Sequence, residues 1–161
     1  MSYTDRQNLA VEFFHRAYEQ QMKGEYEEAI HLYTCSIEAF PTAEAYTFRG
    51  WTYSFLGKLD QAISECLKAI RVDPGFGNPY NDIGAYLIEQ GKWDEAIPWL
   101  EKATHAPRYE AYCYPWFNMG RVYEHQHNWL RARECYRKAF EANRQYRVAL
   151  AGYRRLQAMW N

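Results

Sequence analysis

Two histidines one residue apart, His125 and His127, with Glu124 beside them, are the densest group of metal-ligating side chains in the chain. A zinc site needs three or four protein ligands, and this spacing supplies fewer, so the group reads as a solvated turn and no metal is expected. His15, His31 and His105 stand alone. Cys35, Cys66, Cys113 and Cys135 are dispersed with no Cys-x-x-Cys pair; Cys66 and Cys135 read as small apolar core residues, and a disulfide framework is not expected. There is no glycine-rich phosphate loop, nucleophile elbow or pair of carboxylates in a recognisable context, so the sequence predicts neither an enzyme nor a cofactor. Arginines interleaved with tyrosine and tryptophan near the C-terminus suit single-stranded nucleic acid, but a pI near 6.5 and the lack of a continuous basic stripe argue against that partner. The chemistry left is recognition: 15 tyrosines, 6 tryptophans and 8 phenylalanines in 161 residues are an unusual stock of aromatic surface.

The elements that must position these rings show in Gly77 to Ala103, which reads as two helices joined at Gly91. Gly84 and Ala96 fall where antiparallel helices would cross, and small residues let axes approach to about 8–10 Å. Gly84 has counterparts at Ala17, Gly50 and Gly120; Ala96 at Ala29, Ala62 and Ala132; Ala103 at Ser36, Ala69 and Ala139; Tyr80 at Phe13, Tyr46 and Trp116. Four columns in one register through four copies signal a solenoid.

The pattern resembles the tetratricopeptide repeat, a helix–turn–helix unit of about 34 residues. The resemblance covers roughly residues 10–146 and implies an all-α right-handed superhelix forming a single domain, with helix pairs near 10–42, 43–76, 77–110 and 113–146 and a capping helix over 147–160. His127 replaces the turn glycine of the fourth copy, and copies three and four stand two residues further apart than the norm.

The resemblance also implies a concave groove lined by the first helix of each pair, hence a protein-binding scaffold that takes a peptide or helix of a partner. The groove residues singled out are Phe14 and Tyr18 from the first copy and Thr47, Trp51 and Phe55 from the second. Asn81 comes from the third, and Tyr114, Phe117 and Arg121 from the fourth. Some members grip the C-terminal carboxylate of chaperones with basic and amide side chains. The matching positions here hold Phe14, Tyr18, Phe48, Asn78 and Asp82, none of them basic, so this carboxylate clamp is not expected. The alternative class is structural, a self-assembling homo-oligomer. Residues 1–106 carry 9 Lys/Arg against 16 Asp/Glu, whereas residues 107–161 carry 10 against 4, an axial charge asymmetry that would favour head-to-tail contact.

No apolar run approaches the ~18 residues of a membrane span, and Met1 to Gln7 is polar, so a cytoplasmic protein is expected, with no membrane partner. Along the chain, Thr4 to Gln7 has the spacing of a capping box, Asn78-Pro79 that of an N-cap with a first-position proline, and Val148, Leu150, Tyr153 and Leu156 the spacing of an inward face on the closing helix.

Overall fold

A computed structural model describes residues 1–160. Within them the chain forms nine α-helices: α1 (Tyr3–Met22), α2 (Tyr26–Ala39), α3 (Ala43–Phe55), α4 (Leu59–Val72), α5 (Asn78–Glu89), α6 (Trp93–His105), α7 (Cys113–His125), α8 (Trp129–Ala142) and α9 (Arg147–Gln157), followed by a 3-10 turn over Ala158–Trp160. Consecutive helices pack in four antiparallel pairs, α9 lies against α8, and the pairs stack into an all-α superhelix. None of these helices is long and apolar enough to cross a membrane.

The small-residue columns do what their spacing requires. Ala17, Ala29, Ala62, Ala96, Ala103, Ala132 and Ala139 are completely buried. A Cβ on Gly84 would lie 2.4 Å from a methyl of Leu100, and one on Gly120 would lie 2.5 Å from the Tyr136 ring, so large side chains of the second helices occupy the space those glycines leave.

The turns inside the pairs share one conformation. Gly24, Gly57 and Gly91 have φ of 81°, 72° and 74°, and His127 takes the same place at 59°. In each, the amide three residues past the helix end reaches back into the last turn, as from Lys92 to the Leu87 carbonyl (2.8 Å) and from Asn128 to that of Tyr123 (2.8 Å). A left-handed residue at the helix end suits glycine because it has no Cβ to clash. His127→Gly is therefore expected to stabilise the protein by about 1 kcal/mol, read as a higher midpoint in chemical denaturation.

Several local expectations are corrected. The first capping box uses Ser2, not Thr4: Ser2 Oγ accepts from the Asp5 amide (3.1 Å), and Asp5 accepts from the Ser2 amide (2.9 Å). These bonds hold the Asp5 carboxyl below its ordinary range. Gly77, not Asn78, is the N-cap of α5. Val148 lies exposed on α9, whereas Ala149 and Leu156 are the completely buried side chains of that helix. Pro98 sits inside α6, which runs unbroken past it.

The longer junction between the third and fourth pairs folds back over the preceding linker. Phe76 and Arg108 form a parallel bridge, in which the Gly77 amide donates to the Arg108 carbonyl and the Arg108 amide donates to that of Gly75, both at 3.0 Å. The Arg108 guanidinium pairs with Asp73 (2.8 Å) and with Glu44 of α3 (2.5 Å), and lies 4.2 Å over the Phe76 ring. Tyr109 packs onto Gly77, where a Cβ would come within 2.4 Å of its side chain. One junction thereby ties the second, third and fourth pairs together.

Candidate functional site

Helices α1, α3, α5 and α7 neighbour one another in order and form one wall of the superhelix. Its N-terminal half carries a continuous aromatic belt. Phe14 meets Phe48 at 5.2 Å, Tyr18 meets Phe48 at 5.9 Å, Phe48 meets Trp51 at 5.8 Å and Trp51 meets Phe55 at 5.2 Å, mostly edge to face. Tyr26 of α2 then stacks on Phe55 at 5.1 Å with an interplanar angle of 8°. Tyr18 and Phe55 remain 40% and 48% exposed, so packing within the fold leaves much of these rings to solvent. Beyond the belt, a furrow of about 350 Å³ between α1 and α3 is lined by Val11, Phe14, His15, Phe40 and Glu44.

Phe48 joins most of the belt yet was absent from the groove residues read from sequence, and Tyr26 lies on a second helix. Phe48 stands three residues before Trp51, one helical turn away on the same face, and that spacing is the signal for it. Thr47 is corrected: it is 2% exposed, and its hydroxyl donates to the Ala43 carbonyl at 2.7 Å, so it belongs to the interior of α3.

The centre of the wall is polar. Asn118 donates to the Asn81 side chain (3.1 Å), and Arg121 donates to Asn118 (3.3 Å), which ties α5 to α7. Asn81 is thus a buried strut between helices. Asp82, beside it, is half-buried and makes no ion pair among the described residues. Burial pushes its carboxyl up to about 7, and the Asn81 amide pulls the other way without cancelling the shift. The folded protein therefore favours the protonated form. Stability falls as pH rises from about 4, the ordinary carboxylate value, to about 7, and is level above that. Asp82→Asn is expected to raise the melting temperature most at pH 8 and by less than half as much at pH 5. A gain of ~2 kcal/mol allows for the partial exposure of the site, and thermal melts of both proteins across pH 5–8 measure it.

At the C-terminal half, Tyr114 is exposed, while Phe117 is packed between Tyr136 (5.4 Å) and Tyr146 (5.2 Å). Glu124 accepts from Tyr136 (2.7 Å) and pairs with Arg155 of α9 (2.6 Å), and Arg155 holds its carboxyl below the usual range. The neighbouring histidines face aromatic rings: His125 stacks on Trp93 at 4.1 Å, and His127 meets Trp129 edge-on at 5.3 Å. No group of three or more metal-ligating side chains comes together among the described residues. Cys66, Cys113 and Cys135 are buried, and burial raises all three thiols, Cys135 to about 12, the reverse of what activates a nucleophile.

Comparison with known proteins gives these features a context. Part of the chain is 33% identical over 81 residues to small glutamine-rich tetratricopeptide repeat-containing protein 2 of Mycosarcoma maydis, a match covering 50% of this chain and 23% of that protein. Another is 35% identical over 83 residues to sperm-associated antigen 1 of Rattus norvegicus, covering 52% of this chain and 9% of that protein. The matched stretch is thus a minor part of both relatives. Among solved structures, pilF of Pseudomonas aeruginosa superposes with a TM-score of 0.89 at 20% identity, over 96% of this chain and 70% of that one. The first repeat domain of Spaghetti (RPAP3), solved bound to the HSP90 peptide SRMEEVD, superposes with a TM-score of 0.61 at 25% identity, over 63% of this chain and 83% of that one. Four models described as tetratricopeptide repeat match residues 12–39, 43–76, 80–104 and 113–155, one for each helix pair, the last reaching into α9. The chain belongs to the tetratricopeptide repeat family.

Proposed function

We propose that this chain is a protein-interaction adaptor that holds an extended or helical segment of a partner protein in its concave groove. The observation that carries this reading is the aromatic belt on α1 and α3, whose rings contact one another while Tyr18 and Phe55 stay 40% and 48% exposed. Rigid aromatic side chains give large contact area at small entropic cost and are the residues most often found at binding hot spots. Tyr18, Trp51 and Phe55 supply the anchors, Phe14 and Phe48 hold them, and Tyr114 and Phe117 continue the surface past the polar centre. Arg121, tied to Asn81 through Asn118, fixes the register of the bound segment. The RPAP3 domain bound to an HSP90 peptide supports the class of ligand. Three singly buried cysteines suit a reducing compartment such as the cytoplasm.

A parallel pull-down from cell extract tests the reading, using the wild type and the Trp51→Ala/Phe55→Ala variant. A protein retained by the first and lost by the second places its binding in the groove. Equal recovery by both moves binding to the outer surface. Recovery of the chain alone, with oligomers that dissociate in salt, favours the self-assembly reading, for which the exposed Val148 and Met159 of the closing segment are the available surface.

A further inference from the structure

Five acidic side chains in the described residues are at least partly buried: Glu44, Glu65, Asp73, Asp82 and Glu124. Four of them are paired with an arginine: Glu44 and Asp73 with Arg108, Glu65 with Arg49, and Glu124 with Arg155. Asp82 is the exception. The ionisable groups close enough to interact with it are the Cys66 thiol of α4, the Tyr86 hydroxyl one turn along α5 and the Tyr109 hydroxyl of the junction, and none of them brings a positive charge. Tyr86 is 4% exposed, and its hydroxyl, although beside Ser54, closes no hydrogen bond of good geometry. Asp82 thus lacks a counterion, its carboxyl met only by the Asn81 amide, and the Tyr86 hydroxyl beside it lacks a hydrogen-bond partner within the chain. Glu89, two turns along α5 from Asp82, is exposed and adds a second negative charge, and Trp51 and Phe55 stand on the adjoining helix α3.

A half-buried carboxylate without a counterion costs stability, and a fold that pairs every comparable carboxylate but one has left that one for something outside itself. We propose that Asp82 anchors a lysine or arginine side chain of the bound partner, an extended segment carrying one basic residue among apolar ones. Its cation meets the Asp82 carboxylate, and Trp51 and Phe55 take the apolar flanks. Charge complementarity extends beyond the site, since residues 1–106 hold 16 acidic against 9 basic side chains. The inference rests on the groove reading and specifies the chemistry of its occupant.

The test is a positional-scanning library of acetylated, amidated decapeptides on an apolar background, read by fluorescence polarisation. The proteins are the wild type, Asp82→Asn and Trp51→Ala/Phe55→Ala, and the peptide SRMEEVD is a separate arm. The wild type is expected to select lysine or arginine over norleucine at one position by about tenfold or more. In Asp82→Asn, which keeps the shape and removes the charge, that selection disappears while apolar selections at other positions persist. Binding by the wild type without a basic selection, a basic selection that survives Asp82→Asn, or a preference for SRMEEVD over every basic peptide overturns the inference and leaves the groove reading intact. Peptide binding that ignores the Trp51/Phe55 change, or no binding at all, overturns the groove reading and this inference with it.

Discussion

Replacing Trp51 and Phe55 together by alanine is expected to weaken partner binding by on the order of a hundredfold, about 3 kcal/mol, while the helical content stays that of the wild type. The two rings touch each other at 5.2 Å, and each has a second contact, Trp51 with Phe48 and Phe55 with Tyr26. Truncating both removes the middle of the belt but opens no closed cavity, because Phe55 is 48% exposed and Trp51 is only half-buried. Stability then falls by about 1–2 kcal/mol through lost ring–ring contact, well short of what unfolds a domain of this size. Titration of the captured partner, with circular dichroism of both proteins, separates lost affinity from lost fold.

Arg49→Ala is expected to have the largest effect on the fold itself, about 3 kcal/mol, with a drop of roughly 6–12 °C in melting temperature. The Arg49 side chain is 13% exposed; it donates to Glu65 of α4 at 2.6 Å and to Thr34 of α2 at 3.0 Å. It therefore couples the first helix pair to the second as well as compensating a carboxylate that is 5% exposed. Without it, Glu65 keeps only Lys68, whose ammonium is 2.8 Å away on a side chain that is 41% exposed. Much of the loss is the cost of a stranded charge, so the double change Arg49→Met/Glu65→Leu is expected to recover most of it. A double variant no more stable than Arg49→Ala would show that the Thr34 contact and the packing of the guanidinium, not the charge, are what matter.

The fold was legible because its determinants are columns of small residues at fixed spacing: alanine or glycine at a helix crossing admits few alternatives, and chance does not repeat it four times. What escaped reading was whatever depends on one residue choosing between equivalent local options or on contacts far apart in sequence. Ser2 and Thr4 both begin a plausible capping box, and the helix starts at the earlier one. Thr47 has the spacing of a groove residue, but its hydroxyl is satisfied by the carbonyl four residues back and the side chain stays inside. The Arg108–Glu44 pair joins residues 64 apart, and no local pattern announces it. Sequence marks Asp82 only as one of the non-basic residues at the clamp positions; that it is the unpaired member of the partly buried acids emerges only when every other pairing is in view.

Photo-crosslinking locates the partner relative to α1, α3, α5 and α7. A benzophenone side chain is placed in turn at Tyr18 and Tyr114 on groove helices, and at Leu67 and Leu130 on second helices, all four positions being exposed in the free protein. Crosslinks to the partner from Tyr18 and Tyr114, and none from Leu67 or Leu130, are the predicted result. Crosslinks confined to Leu67 and Leu130 would contradict the account and place the partner on the convex face.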